Sequence, residues 1–219
     1  MASHSRDKSY PHWSEKYRYV TSWCNQQFPK FDADKIIECL KNKDPTLTES
    51  PDEIKKRWKN IATYGKKVHK QIEDYYNEIS VTNPTEEYKQ FLLFIKEYPD
   101  WEPLRSEWKI YDERFRICGC IDMVYKLPNG NIVLCDWKTS KEIKKENSFE
   151  SGLTECVKHM PNCNFSTYSL QLNYYKFMLE ELYELEVEKM YIVSLLKDKW
   201  TVDDVPDLNS EVRSLNTLL

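Results

Sequence analysis

Two runs rich in β-branched and aromatic residues, ICGCIDMVYKL and NIVLCDWK, flank Pro128-Asn129-Gly130. This pattern predicts strand, tight turn, strand, with Gly130 free to take a positive φ. If the loop is the three residues 128–130, Leu127 faces Asn131, and counting back along both strands sets Asp122 opposite Asp136. Side chains alternate with period two, so Lys138 leaves the sheet on the Asp136 side. A two-residue loop would shift this register by one and undo the arrangement. A preceding strand is predicted in PLRSEWKIYDE. A tight turn at Asp112-Glu113 would place Glu107 roughly opposite Cys118 and on the Asp122 face.

Elsewhere apolar positions recur at three- and four-residue steps. Trp58, Ile61, Gly65, Val68, Ile72, Tyr75 and Ile79 form such a stripe, predicting a long helix whose apolar side faces the core. Ser50 is its expected N-cap, Pro51 suits the first helical position, and Glu53 completes a capping box. His69 sits beside the stripe. Asn83-Pro84-Thr85 ends this helix and opens another through about Lys96. Upstream, a short helix is expected over residues 14–27 and a second from about Asp32, with Asp32 or Asp34 near its start and a polar loop over 42–50. Downstream, residues 140–164 are polar, Lys-rich and without a clear period, the pattern of a flexible lobe or lid. STYSLQLNYYKFMLEELYELE then reads as a helix burying Leu170, Tyr174, Phe177, Met178 and Leu182, and VEKMYIVSLL as a buried strand returning to the sheet. Residues 203–219 read as a loop and a short amphipathic helix. The division expected is an N-terminal helical region over 1–50, an α/β core over 51–200 and a C-terminal helix over 201–219.

Composition narrows the class without choosing a function. A chain of 219 residues with 31% charged and 40% hydrophobic positions can bury a sizeable core. No run approaches the roughly 18 consecutive apolar residues of a membrane span. The start, MASHSRDKSYPHW, lacks the apolar centre of a secretory signal, so an intracellular protein is expected. Seven cysteines scattered through apolar runs suggest reduced, mostly buried thiols rather than a disulfide framework. A net charge of −4 argues against nonspecific coating of nucleic acid, yet leaves room for local basic patches.

The chemistry lies in the polar residues on these apolar strands. Directly opposed carboxylates repel, and unpaired buried charges are costly. A divalent cation between Asp122 and Asp136 removes the conflict, because hard cations take carboxylate oxygens and Lys138 can serve a bound oxyanion. Glu107 is expected to join them on one side of the sheet.

The order helix, three antiparallel strands, helix, strand, with these acids and a Lys two places after the second, resembles the PD-(D/E)XK nuclease superfamily and its RecB-like exonuclease branch. The resemblance rests on Gly65-x-x-x-His69, Glu107, Gly119-Cys120-Ile121-Asp122, Asp136-Trp137-Lys138-Thr139 and Gln171-Leu172-Asn173-Tyr174-Tyr175, across residues 50–200. It implies a restriction-endonuclease-like core and a Mg²⁺- or Mn²⁺-dependent DNA exonuclease of replication, repair or recombination. His69, Asp122, Asp136 and the Trp137 carbonyl would hold the ion, with Glu107 completing its surroundings. Lys138 would position or activate the attacking water, and Gln171 and Tyr175 would hold the substrate strand or steady the site. Thr139, Lys66 and Lys67 join the expected substrate contacts, as part of a basic run from Lys55 to Lys70 that is otherwise a solvated helix face. Ile121 stands where the superfamily's name has Pro. Nothing follows Cys163 to match a C-terminal cysteine triplet, which argues against an iron–sulfur cluster. FPKFD before a helix is similar to the N-terminal region of RecB-like nucleases of large DNA viruses and phages. Rival readings are a structure-specific or RNA-directed endonuclease and a non-catalytic nucleic-acid-binding module of the same fold. The partner expected is DNA, single-stranded or with an accessible end. Trp13, Trp23 and Trp101 suit core packing better than base stacking, and His4, His12 and His159 have no partner pattern.

Overall fold

The structure is a computed structural model that describes residues 16–219. Trp13 and the first two residues of the helix expected over 14–27 lie outside the described residues. The hairpin forms as its sequence dictates: β3 (Ile117–Lys126) runs antiparallel to β4 (Ile132–Lys138), with Tyr125 across from Val133 and Met123 across from Cys135. Leu127 N–H donates to the Asn131 carbonyl, and Gly130 takes a φ of 93°, so the three-residue loop holds.

The other turn is longer than expected. Asp112 at the end of β2 (Glu102–Asp112) pairs with Ile117, leaving residues 113–116 as the connection. The Asp112 carboxylate accepts from the Arg114 backbone N–H and guanidinium, and this local bonding stabilises the wider turn. Glu107 therefore sits between the pairs Trp108–Ile121 and Ser106–Met123, level with Asp122 rather than Cys118. The slip is of four residues, an even number.

Among the described residues six strands form one sheet: β1 (Arg18–Tyr19), β3, β4, β5 (Val187–Leu195) and β6 (Trp200–Asp204) follow one another in that order, with β2 paired to the remaining side of β3. β5 lies parallel to β4, as a crossover through a helix requires. Two strands escaped the sequence reading. β1 lies parallel to the start of β3, inside the span expected to be helical. β6 pairs antiparallel with β5, starting in a stretch given no element and ending in the first two residues of the expected loop over 203 onward.

Helices α1 (Val20–Asn25), α5 (Asn164–Leu182) and α6 (Asn209–Asn216) share one core with the sheet, built on Trp23, Leu170, Tyr174, Leu215, Ile121 and Leu134. The indole of Trp23 donates to the Tyr174 hydroxyl in this core. α3 (Pro51–Tyr76) and α4 (Glu86–Glu97) share the other, where Phe91 and Phe94 meet Trp137 edge-to-face. Trp101 stacks between Tyr98 and Tyr191 on this side. α2 (Ala33–Lys43) is capped by Asp32, one of the two acids its sequence offered, and Asp34 falls in the first turn. Ser50 and Glu53 close the capping box of α3 reciprocally.

The stripe on α3 divides. Val68 and Ile72 are buried, but Ile61 is about half exposed, and Trp58, Ile61 and Gly65 line a cleft. Tyr75 and Ile79 are exposed as well, so only the middle of the stripe serves the core. Residues 140–163 contain one short turn of 3-10 helix, Glu155–Val157, and a bridge between Ser151 and Pro161. Val157 and Met160 enter the core beneath α5. Among the described residues no helix is long and apolar enough to cross a membrane.

Candidate metal centre in the cleft

The hydrogen-bonded rungs between β3 and β4 stop at Met123–Cys135, so Asp122 and Asp136 occupy the next place in register where the strands part. Alternation on β4 sends Val133, Cys135 and Trp137 to the core of α4 and Leu134 to that of α5. Asp136 and Lys138 follow Leu134 and reach α5: Gln171 Nε2 donates to Asp136 Oδ1 at 3.3 Å, and the Lys138 ammonium forms an ion pair with Asp136 Oδ2. The same ammonium lies 4.3 Å from the ring centroid of Tyr168.

Glu107 and Asp122 turn instead toward α3. His69 Nδ1 is 3.6 Å from both Glu107 Oε1 and Asp122 Oδ1, and His69 Nε2 is 3.0 Å from the Trp137 carbonyl. Trp137 N–H donates to Asp122 Oδ2 at 2.8 Å. The backbone of one residue, Trp137, thus ties Asp122 and His69 together through its N–H and its carbonyl. Glu107 has a φ of 49°, a conformation disfavoured for a side chain of this size and the kind of strain that collects at functional positions. Cys120 Sγ donates to its other oxygen.

Donor atoms of His69, Glu107 and Asp122 all lie within 4.8 Å of one another, close enough to share one small cation. Carboxylate oxygens and an imidazole are ligand types that Mn²⁺ accepts, with Mg²⁺ favouring the oxygens. The Trp137 carbonyl, expected as a further ligand, bonds the Nε2 side of the His69 ring, while the carboxylates face Nδ1. The sequence expectation gave Asp136 a ligand's role and Glu107 a supporting one. In the geometry Glu107 belongs to the cluster, while Asp136 faces Lys138 and Gln171.

The electrostatics follow from burial. Burial alone would lower the pKa of His69, but the Asp122 and Glu107 carboxylates outweigh it and push the value up to about 9. Burial raises Asp122 and Asp136 above the usual carboxylate range against the pull of His69 and Lys138. Lys138, which burial would make a weaker base, is held above its ordinary value by Asp136 and Asp122.

These residues form the floor of a cleft of about 1080 Å³. Tyr175 packs so closely on Gly119 that a β-carbon there would come within 2.4 Å of the ring, and Gly65 brings α3 against Thr139. Lys66 lines the cleft, whereas Lys67 is exposed away from it. Lys55, Arg57 and Lys70 of the basic run are engaged by Asp34, Glu49 and the pair Glu73 and Asp74. Tyr168, Lys109 and Trp58 were not anticipated in the cleft. Tyr168 lies one helical turn before Gln171 and Lys109 two strand positions after Glu107, spacings that could have pointed to both.

No protein-family model matches the chain, and no curated protein matches it. Two solved structures are similar in outline. The protein SSO0001 aligns at 16% identity with a TM-score of 0.40, over 94% of this chain and 77% of its own. A protein from Eubacterium rectale described as a "putative exonuclease" aligns at 10% identity with a TM-score of 0.45, over 98% of this chain and 82% of its own.

Proposed function

We propose that this chain is a metal-dependent nuclease with a PD-(D/E)XK-type site, hydrolysing phosphodiester bonds of DNA from an end. The observation that carries the reading is the meeting of His69, Glu107 and Asp122 with the Asp136–Lys138 pair on the floor of one open cleft. When bound, Mg²⁺ or Mn²⁺ would offset the charge that builds on the phosphate oxygens and acidify a nearby water. His69, Glu107 and Asp122 are the groups that would hold it, with the Trp137 carbonyl orienting the His69 ring through Nε2. Lys138 stays protonated through Asp136, rests on the Tyr168 ring, and presents its ammonium to the phosphate as charge develops. Gln171 fixes the Asp136 carboxylate, and Asp136 in turn aims Lys138, so the pair acts as a unit.

The test is digestion of end-labelled linear and circular DNA in Mg²⁺ or Mn²⁺ against EDTA. Lys138→Ala and Asp136→Ala should each lower cleavage by at least about a hundredfold while DNA binding persists. Full activity in either variant would end the proposal. Cleavage of circles as fast as linear strands would replace end-directed with internal scission.

A further inference from the structure

The cleft extends well beyond the candidate metal centre, and its far wall has a different character. Trp58, Ile61, Ala62, Gly65, Lys66 and His69 follow one another along α3 at intervals of three, one, three, one and three residues, so they share one face. This face reaches the metal centre at His69 and runs on to the paired Lys70 and Glu73. Eleven residues earlier, about 16 Å along the helix axis, Trp58 stands in the cleft wall. Phe31, just before α2, meets Trp58 edge-to-face with ring centroids 5.7 Å apart. Neither Phe31 nor Ile61 is covered, at 63% and 51% exposed. Clustered large apolar side chains left in water beside a cleft need an occupant to be worth their solvation cost.

The neighbouring charges say which occupant. Lys66, between Ile61 and His69 on the same helical face, sets a cation between the apolar wall and the metal centre, and Lys109 on β2 adds a second cation to the cleft lining. A chain that carries an anion and a flat apolar group in each repeat matches this sequence of surfaces, and nucleic acid with unpaired bases is such a chain. Paired bases keep their faces stacked on one another and offer nothing to Trp58.

We propose that Trp58, braced by Phe31 and flanked by Ile61, is a stacking platform for unpaired bases, and that the cleft takes a single strand. This rests on the reading of the metal centre as a phosphodiester site and adds the form of the substrate to it. Lys66 holds a phosphate between the platform and the metal centre, Lys109 offers the strand a second cation, and the strand follows α3 toward His69.

The experiment is fluorescence anisotropy of the full chain in EDTA with three labelled probes: an oligothymidylate, an abasic oligomer of equal length and a blunt hairpin duplex. Trp58→Ala should weaken oligothymidylate binding about tenfold or more, the effect typical of losing one stacked base, and leave abasic binding unchanged. Trp58→Phe should restore most of the loss, and Phe31→Ala should reproduce part of it. Binding of oligothymidylate by Trp58→Ala as tightly as by wild type, equal weakening on the abasic probe, or wild-type preference for the hairpin would each overturn the platform. Cleavage in Mn²⁺ is followed on the same probes to separate the two claims. Cleavage lost in Lys138→Ala but indifferent to Trp58 sinks the platform alone, while Trp58-dependent binding without cleavage in any metal sinks the nuclease reading.

Discussion

At the scale of single residues, the proton on His69 is the most consequential. With a pKa of about 9, the imidazole is charged at neutral pH and balances Asp122 and Glu107. An entering cation must displace that proton, since a metal takes neutral imidazole. The sign follows: below about pH 9 the proton competes, so Mn²⁺ affinity should rise with pH through the neutral range and level off near that value. Calorimetry in buffers of different ionisation enthalpy should detect close to one proton released per ion at pH 7, and His69→Ala should abolish most of that release. Gly119 supports a second expectation. A methyl group there has to move the buried Tyr175 ring, so Gly119→Ala should cost about 1–3 kcal/mol in urea unfolding. The displaced ring should also lower cleavage.

Helix α3 carries both ends of the cleft, so at the scale of elements its N-terminal cap matters beyond local stability. The Ser50 and Glu53 exchange lies only two turns before Trp58. Ser50→Ala should lower stability by about 1 kcal/mol in urea unfolding, and fraying from that end should loosen oligothymidylate binding before it touches the metal centre. Element scale is also where the sequence was most and least informative. Pro128-Asn129-Gly130 marked the turn but left its length open between two and three residues; the three-residue loop that forms fixes the register that brings Asp122 and Asp136 to the same level. The turn at 113–116 was missed because its bonding comes from Arg114 folding back on Asp112, not from a Gly or Pro. β1 is two residues long and β6 has few apolar positions, so both depend on a neighbour that pattern cannot reveal. The α3 stripe showed which face of the helix would be used, but an apolar stripe reads alike whether it meets a core or a ligand. The individual site residues were legible as residue types. Their division between α3 and α5 was not, since it arises where β3 and β4 part.

At the scale of the whole molecule, the sheet separates two cores and the candidate site sits at the opening between them. The backbone of Trp137 donates its N–H to Asp122 and accepts from the His69 ring at its carbonyl, while the indole is packed against Phe91 and Phe94 behind the sheet. Phe94→Ala, a change outside the cleft, should cost about 3–5 kcal/mol of stability. It should also reduce Mn²⁺ affinity at temperatures where the chain is still folded, measurable by calorimetry beside the thermal melt. Because one tryptophan is both keystone of the rear core and clasp of the front cluster, heat should not release them separately. Loss of tryptophan burial and loss of ion uptake should share a single midpoint, leaving no folded but vacant-handed form of this protein on the way to denaturation.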